Sequence, residues 1–244
     1  MIHFVGAGPG AADLITVRGM KLIEQADIII YTGSLVSDEL LKYAKEGCIF
    51  RNSAYMTLDE VIDVMAENRG KNIVRLHTGD PSIFGAVREQ YDRLDALGIK
   101  YDVCPGVSSF CGAAATLGIE YTLPEVSQTV ILTRAEGRTP VPPKEDISLL
   151  GEHNATMVIF LSAGMGQKVQ EKLLKSYTAD TPTAVVYRAT WEDEKVLRCT
   201  VGTLAQTLSE NGIDKHALIC VGKALEGGTV SRLYSPDFST GYRL

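Results

Sequence analysis

The chain has little of the chemistry that marks a metal centre, a disulfide scaffold or a nucleic-acid surface. Its five cysteines, Cys48, Cys104, Cys111, Cys199 and Cys220, are odd in number, scattered and never spaced as Cys-x-x-Cys. Reduced thiols that serve mostly as packing groups are therefore expected. The four histidines are isolated from one another, so no protein metal site is expected. Basic residues are outnumbered by acidic ones, 24 to 30, and a net charge of −6 argues against a broad nucleic-acid-binding face. No apolar run approaches the length that crosses a membrane, and the start, Met-Ile-His-Phe-Val-Gly, lacks the basic region and apolar stretch of a signal peptide. A cytoplasmic protein without membrane or nucleic-acid partners is expected. Repeats and low-complexity tracts are also missing. What is present is 244 residues with 45% hydrophobic and 22% charged side chains, enough for two α/β domains of ordinary size.

The first apolar strand, residues 2–6, enters Gly6-Ala7-Gly8-Pro9-Gly10, and apolar residues then recur at helical spacing. This corner lacks the third glycine of a dinucleotide fingerprint, and Pro9 removes an amide that a pyrophosphate cradle uses. The second strand, Asp27 to Tyr31, runs into Thr32-Gly33-Ser34 without the terminal acid that a nicotinamide-binding fold requires. A helix follows from about Val36 to Ala44, then a weak strand near Cys48 to Arg51. Thr57 and Glu60 form a capping-box pattern ahead of Val61, Ile62, Val64 and Met65.

Ile73 to Gly85 is the most informative stretch. An apolar strand stops at Thr78-Gly79-Asp80-Pro81, and a helix is expected from about Ile83 to Leu97. Asp80 at that corner can meet a ligand or cap the helix that follows; both readings stand on the residues alone. A fifth strand, 101–104, ends in Pro105-Gly106-Val107-Ser108-Ser109, where two hydroxyls at a helix start suit a polar ligand. Alternating strands and helices to about residue 118 imply a parallel sheet with three Gly or Pro corners on its carboxyl edge.

Residues 119–128 break the alternation, giving domains of 1–120 and 121–244. In the second half, strand Thr129–Thr133 opens into Arg134-Ala135-Glu136-Gly137-Arg138-Thr139-Pro140, a loop whose two arginines can offer bidentate donors to carboxylates. Strands at 155–162, 184–188, 194–200 and 217–221 alternate with helices to about Tyr177 and at 203–211. The consecutive pair 184–188 and 194–200 suggests an antiparallel hairpin and a mixed sheet.

Taken together, Gly6 to Gly10, Gly79-Asp80-Pro81 and Pro105 to Ser109 resemble the tetrapyrrole methyltransferases, over nearly the whole chain. Within that family, Arg75 to Ser82 and Thr133 to Pro140 look most like the branch that methylates a corrin precursor, with or without cobalt, in cobalamin biosynthesis. The resemblance implies two α/β domains, a homodimer, and S-adenosylmethionine (SAM) held in a cleft between the domains, leaving S-adenosylhomocysteine as product. It places Gly8, Pro9, Thr78, Gly79, Asp80, Ile83, Ser108 and Ser109 at the cofactor, joined from the second domain by Ser162, Ala189 and Ala217. Arg134 and Arg138 would meet an anionic tetrapyrrole. The uroporphyrinogen methyltransferases of the family carry an acid after the tyrosine that ends the second strand. Tyr31 is followed here by Thr32, so no general base is assigned. Rival readings are the uroporphyrinogen and precorrin-2 branch, relatives acting on macromolecules, a non-catalytic SAM-binding regulator and a nicotinamide-dependent oxidoreductase.

Overall fold

The computed structural model describes residues 1–228, 231, 238 and 239, and divides the chain into two compact units. The first comprises Met1–Gly112 together with Arg188–Asp193, and the second Ala113–Tyr187 with Glu194 onward.

The first unit carries β1 (Ile2–Gly6), α1 (Val17–Gln25), β2 (Ile28–Tyr31), α2 (Asp38–Leu41), β3 (Ile49–Asn52), α3 (Leu58–Glu67), β4 (Ile73–His77), α4 (Arg88–Ala96), β5 (Tyr101–Cys104) and the start of α5 (Ser109–Leu117). Its five strands are all parallel, in the order β3-β2-β4-β1-β5. Parallel strands bury both faces, which is why β1, β2 and β4 read as nearly continuous apolar runs. One core joins Phe4, Ile30 and Ile73 to Val61, Ile62 and Met65 of α3 and Leu94 of α4. The opposite face joins Val5, Ile29, Val74 and Leu76 to Ile23 of α1 and Leu40 of α2.

The capping box forms as expected: Thr57 accepts from the Glu60 amide, and the Glu60 carboxylate accepts from the Thr57 amide. The helix expected from Ile83 begins only at Arg88. Phe84 and Ala86 take left-handed φ of 53° and 48°, and a Cβ at Gly85 would lie 2.2 Å from the Pro81 carbonyl oxygen. Pro81 to Val87 is thus a folded loop rather than a first helical turn. The helix expected over residues 36–44 shortens to the four residues of α2, which Ser37 caps by accepting from the Glu39 amide.

The second unit continues with β6 (Val130–Arg134), α6 (Ile147–Leu150), β7 (Thr156–Phe160), α7 (Gly166–Leu173), β8 (Pro182–Tyr187), β9 (Lys195–Thr200), α8 (Leu204–Glu210) and β10 (Ala217–Val221). The strand order is β6-β7-β10-β8-β9, with β6 and β7 parallel and every other neighbour antiparallel. This is the mixed sheet expected from the sequence. One face packs Met157, Ile159, Val185 and Ile219 against Val169 and Leu173 of α7 and Leu204 and Leu208 of α8. The polar tail expected after Val221 lies mostly outside the described residues.

Candidate functional site

β4, β1 and β5 are neighbours in the first sheet, so their carboxyl ends deliver three corners to one place. The Ala7 amide donates to the His77 carbonyl at 2.7 Å, and Gly8 and Gly79 exchange backbone bonds of 3.3 and 2.8 Å. Gly8 and Gly79 take φ of +85° and +62°, which a side chain would strain. A Cβ on Gly106 would sit 2.2 Å from the Gly79 carbonyl oxygen and 2.7 Å from the Gly6 α-carbon. The corners therefore meet backbone to backbone, and glycine at 6 and 106 is a condition of that approach. Ser108 and Ser109 close the cluster, with the Ser109 amide nitrogen 3.4 Å from where a Gly79 Cβ would be. Ser108 is buried and Ser109 half-buried.

Asp80 ties two corners together. One carboxylate oxygen accepts from the Ser82 amide at 2.8 Å and from the Ser82 hydroxyl; the other accepts from the Gly106 amide at 2.8 Å. Partial burial opposes its charge, but these bonds outweigh burial and hold the carboxyl below its ordinary range. The helix-capping reading of Asp80 is corrected: its bonds go to the turn and to Gly106, and α4 starts eight residues later. Thr78 reaches the other way. Its hydroxyl donates to the Leu35 carbonyl at 3.2 Å and lies 3.3 Å from the Thr32 hydroxyl, so the β2 corner joins the group. The Ile83 amide donates to the Asp80 carbonyl, leaving its side chain half-buried in the loop after the corner.

Two residues beneath this edge entered the sequence reading only as part of a family motif and were given no role of their own. Arg75 and His77 lie on the face of β4 that packs against α3 and α4, and both are buried, 6% and 3% exposed. Among the described residues Arg75 has no carboxylate partner. It donates to the Gln90 side-chain oxygen at 3.0 Å, the Ser53 hydroxyl at 2.9 Å and the Ile30 carbonyl at 3.4 Å. Gln90 in turn donates to the Ala86 carbonyl, which links the buried cation to the loop after Pro81. Burial lowers the Arg75 pKa to about 10, so it stays charged at neutral pH. The His77 ring stacks on Phe4 with centroids 5.9 Å apart, and its Nε2 has no hydrogen-bond partner among the described residues. Burial, and then the Arg75 charge, lowers its pKa to about 3 and keeps the imidazole neutral. The signal in the sequence was two polar residues at strand period inside an otherwise apolar β4.

The loop that holds Pro9 is packed by the segment that holds Ala189, far away in sequence. Arg188–Asp193 belongs to the first unit, where the Trp191 indole N–H donates to the Pro9 carbonyl at 3.2 Å. The Ala189 carbonyl oxygen lies 2.9 Å from where a Gly10 Cβ would be. The sequence reading gave Trp191 no role; its signal was only that it is the sole tryptophan.

The remaining candidates lie in the second unit. The Ser162 hydroxyl donates to the Phe160 carbonyl at 2.6 Å and accepts from the Ala135 amide at 2.8 Å, joining the carboxyl ends of β7 and β6. Ala217 opens β10, buried and paired with Tyr187. Arg134 is occupied by its own loop, donating to the Ala135, Thr139 and Pro140 carbonyls. Arg138 is exposed and makes no hydrogen bond or ion pair with the described residues. None of the described residues form a group of three or more His, Cys, Asp or Glu able to hold a metal ion.

A doubly connected glycine corner of this kind, on an all-parallel sheet joined to a mixed one, defines a class. Residues 1–205 match the family model of the tetrapyrrole (corrin/porphyrin) methylases, and the chain belongs to that family. Among its relatives, a cobalt-precorrin-4 C(11)-methyltransferase of Methanocaldococcus jannaschii is 52% identical, covering 99% of this chain and 95% of the relative. A precorrin-4 C(11)-methyltransferase of a Sinorhizobium species is 45% identical, covering 99% and 98%. The solved structure of a cobalt precorrin-4 methyltransferase superposes with a TM-score of 0.89 at 45% identity, covering 92% of this chain and 95% of that one.

Proposed function

We propose that the chain transfers the methyl group of SAM to C11 of precorrin-4, in its metal-free or cobalt-containing form, in cobalamin biosynthesis. The observation that carries this reading is the three-corner cluster of Gly6, Gly79 and Gly106, set in a chain that matches relatives of that named activity from end to end. When bound, SAM supplies an electrophilic sulfonium methyl group.

The first unit's residues fit such a ligand. Small side chains, backbone amides and carbonyls line the corners, and the one acid there, Asp80, already has hydrogen bonds to both oxygens. A free carboxylate at the sulfur would favour the charged ground state over a transition state in which that charge is dispersing. The protein's task is then to hold the reactants in line, which can contribute on the order of 7–11 kcal/mol in favourable cases. Gly8, Pro9, Thr78, Gly79, Ile83, Ser108, Ser109 and Ala189 shape the cofactor surface, and Asp80 acts by fastening two of its corners. Within the second unit, Ser162 and Ala217 are cofactor candidates on the family resemblance alone. Arg138 offers its guanidinium to the tetrapyrrole carboxylates, and Arg134 shapes the loop that carries it. The enzyme works as a homodimer in the cytoplasm.

Incubation with methyl-labelled SAM and each form of precorrin-4, followed by NMR of the product, tests the reaction. Label at C11 is expected; label on another ring carbon, or none with either substrate, would overturn the assignment. Sedimentation of the purified protein tests the dimer.

A further inference from the structure

We propose that Trp191 is a positioning residue for the cofactor corner, fixing the Pro9–Ala11 backbone from outside; this rests on the reading of that corner as the SAM site. β8 and β9 are an antiparallel pair that a short turn could connect. The connection instead runs through Arg188–Asp193, which packs on the glycine-rich loop of the first unit. Two of its residues, Arg188 and Thr190, adopt left-handed φ of 47° and 69°, unusual for long and β-branched side chains. Such conformations persist where the surroundings enforce them.

The segment holds the loop at three successive residues. The Trp191 Nε1–H donates to the Pro9 carbonyl at 3.2 Å, and the Ala11 amide donates to the Thr190 hydroxyl at 3.1 Å. Between them, a Cβ on Gly10 would fall 2.3 Å from Trp191 Cδ1, so the indole occupies the place of a side chain. The start of α5 closes the other side: a Cβ on Gly112 would lie 2.8 Å from Pro9 Cβ and 3.3 Å from Thr190 Cγ2. The indole is itself immobilised. The Arg188 guanidinium stands 4.2 Å over the ring, and Asp193 pairs with that guanidinium at 2.8 Å. With its N–H on Pro9 and a ring face under Arg188, Trp191 is held in one orientation. Its effect is to set the loop's shape before the cofactor arrives, so that binding does not pay for ordering it.

The test uses the full-length protein with two conservative variants. Trp191→Phe keeps most of the ring contact and removes the donor to Pro9; Thr190→Val removes the acceptor for Ala11 and keeps the methyl group facing Gly112. Calorimetry with S-adenosylhomocysteine is expected to show about five- to tenfold weaker binding for each, the size of effect that losing a hydrogen bond to the loop gives. The KM for SAM should rise by the same factor, while kcat at saturation and the KM for precorrin-4 stay within about twofold. The double variant should lose less than the product of the two effects, because both act on one loop. Unchanged affinity in both variants beside a wild type that binds normally overturns the proposal, as does an equal rise in both KM values, which marks general loosening. Should Trp191→Phe fail to fold, Thr190→Val decides alone. A wild type that does not bind S-adenosylhomocysteine overturns the cofactor reading itself, and the positioning role with it.

Discussion

The carboxylate of Asp80 and the backbone amide of Gly106 are joined at 2.8 Å across 26 residues of sequence, and this one bond locks the corner after β4 to the corner after β5. Its partner oxygen is held by Ser82, so no lone acid faces the cluster from this position.

Asp80→Asn keeps the shape but must point its amide N–H either at the Gly106 amide or at the Ser82 amide, donor against donor. Urea unfolding should show a loss of about 1–3 kcal/mol. Affinity for S-adenosylhomocysteine should fall with it, because the corners lose their register. A stable variant with reduced affinity would instead show that the carboxylate touches the cofactor directly.

Glycine is needed at some positions and idle at others, and the two can be told apart. Gly106→Ala forces a Cβ to within 2.2 Å of the Gly79 carbonyl, so cofactor binding should be lost and the fold severely weakened. Gly70 has no atom within 4 Å of a built Cβ and no positive φ, so Gly70→Ala should leave binding intact and stability equal or slightly higher, by up to about 1 kcal/mol. Thermal unfolding and calorimetry of the pair provide the check.

His77 makes stability depend on pH with a definite sign. Its folded pKa, about 3, lies below the ordinary 6.5, so the unfolded chain takes up a proton that the folded one refuses. The folded state is unaffected above pH 6.5 and loses stability as pH falls through the window from 6.5 towards 3, with a limiting slope of about 1.4 kcal/mol per pH unit. His77→Leu should remove that slope. It should also cost little at neutral pH, since the Nε2 it deletes has no partner among the described residues. Urea unfolding at several pH values between 5 and 8 measures the difference between the two proteins.

The two arginines of the Arg134–Pro140 loop should behave differently. Arg138→Ala is expected to raise the KM for the tetrapyrrole about three- to tenfold and leave the affinity for SAM unchanged, since an exposed guanidinium makes a screened contact. Arg134→Ala removes the bonds to Thr139 and Pro140, so the loop should also become more susceptible to limited proteolysis. Equal proteolysis of both variants would assign them the same role.

Local and periodic features were legible. The Thr57–Glu60 box, the apolar runs of β1, β2 and β4, the paired runs of β8 and β9, and the three Gly or Pro corners all follow from residues close in sequence, and each has its expected place. The start of α4 was misread because apolar spacing after Ile83 cannot reveal that Phe84 and Ala86 turn left-handed. Arg134 was taken as a free donor because composition does not say whether a guanidinium faces a ligand or its own loop.

The sequence by itself determined an acidic chain of alternating strands and helices, with glycines where strands end and with the motifs of a methylase family. These are consequences of spacing and residue type, which act within a few residues. Tertiary structure alone decided that Gly6 and Gly106 touch, that Asp80 serves Gly106 rather than a helix, and that Trp191 reaches Pro9 across 182 residues. Such contacts depend on which strands lie side by side and how closely their backbones approach, and only the folded chain fixes those distances.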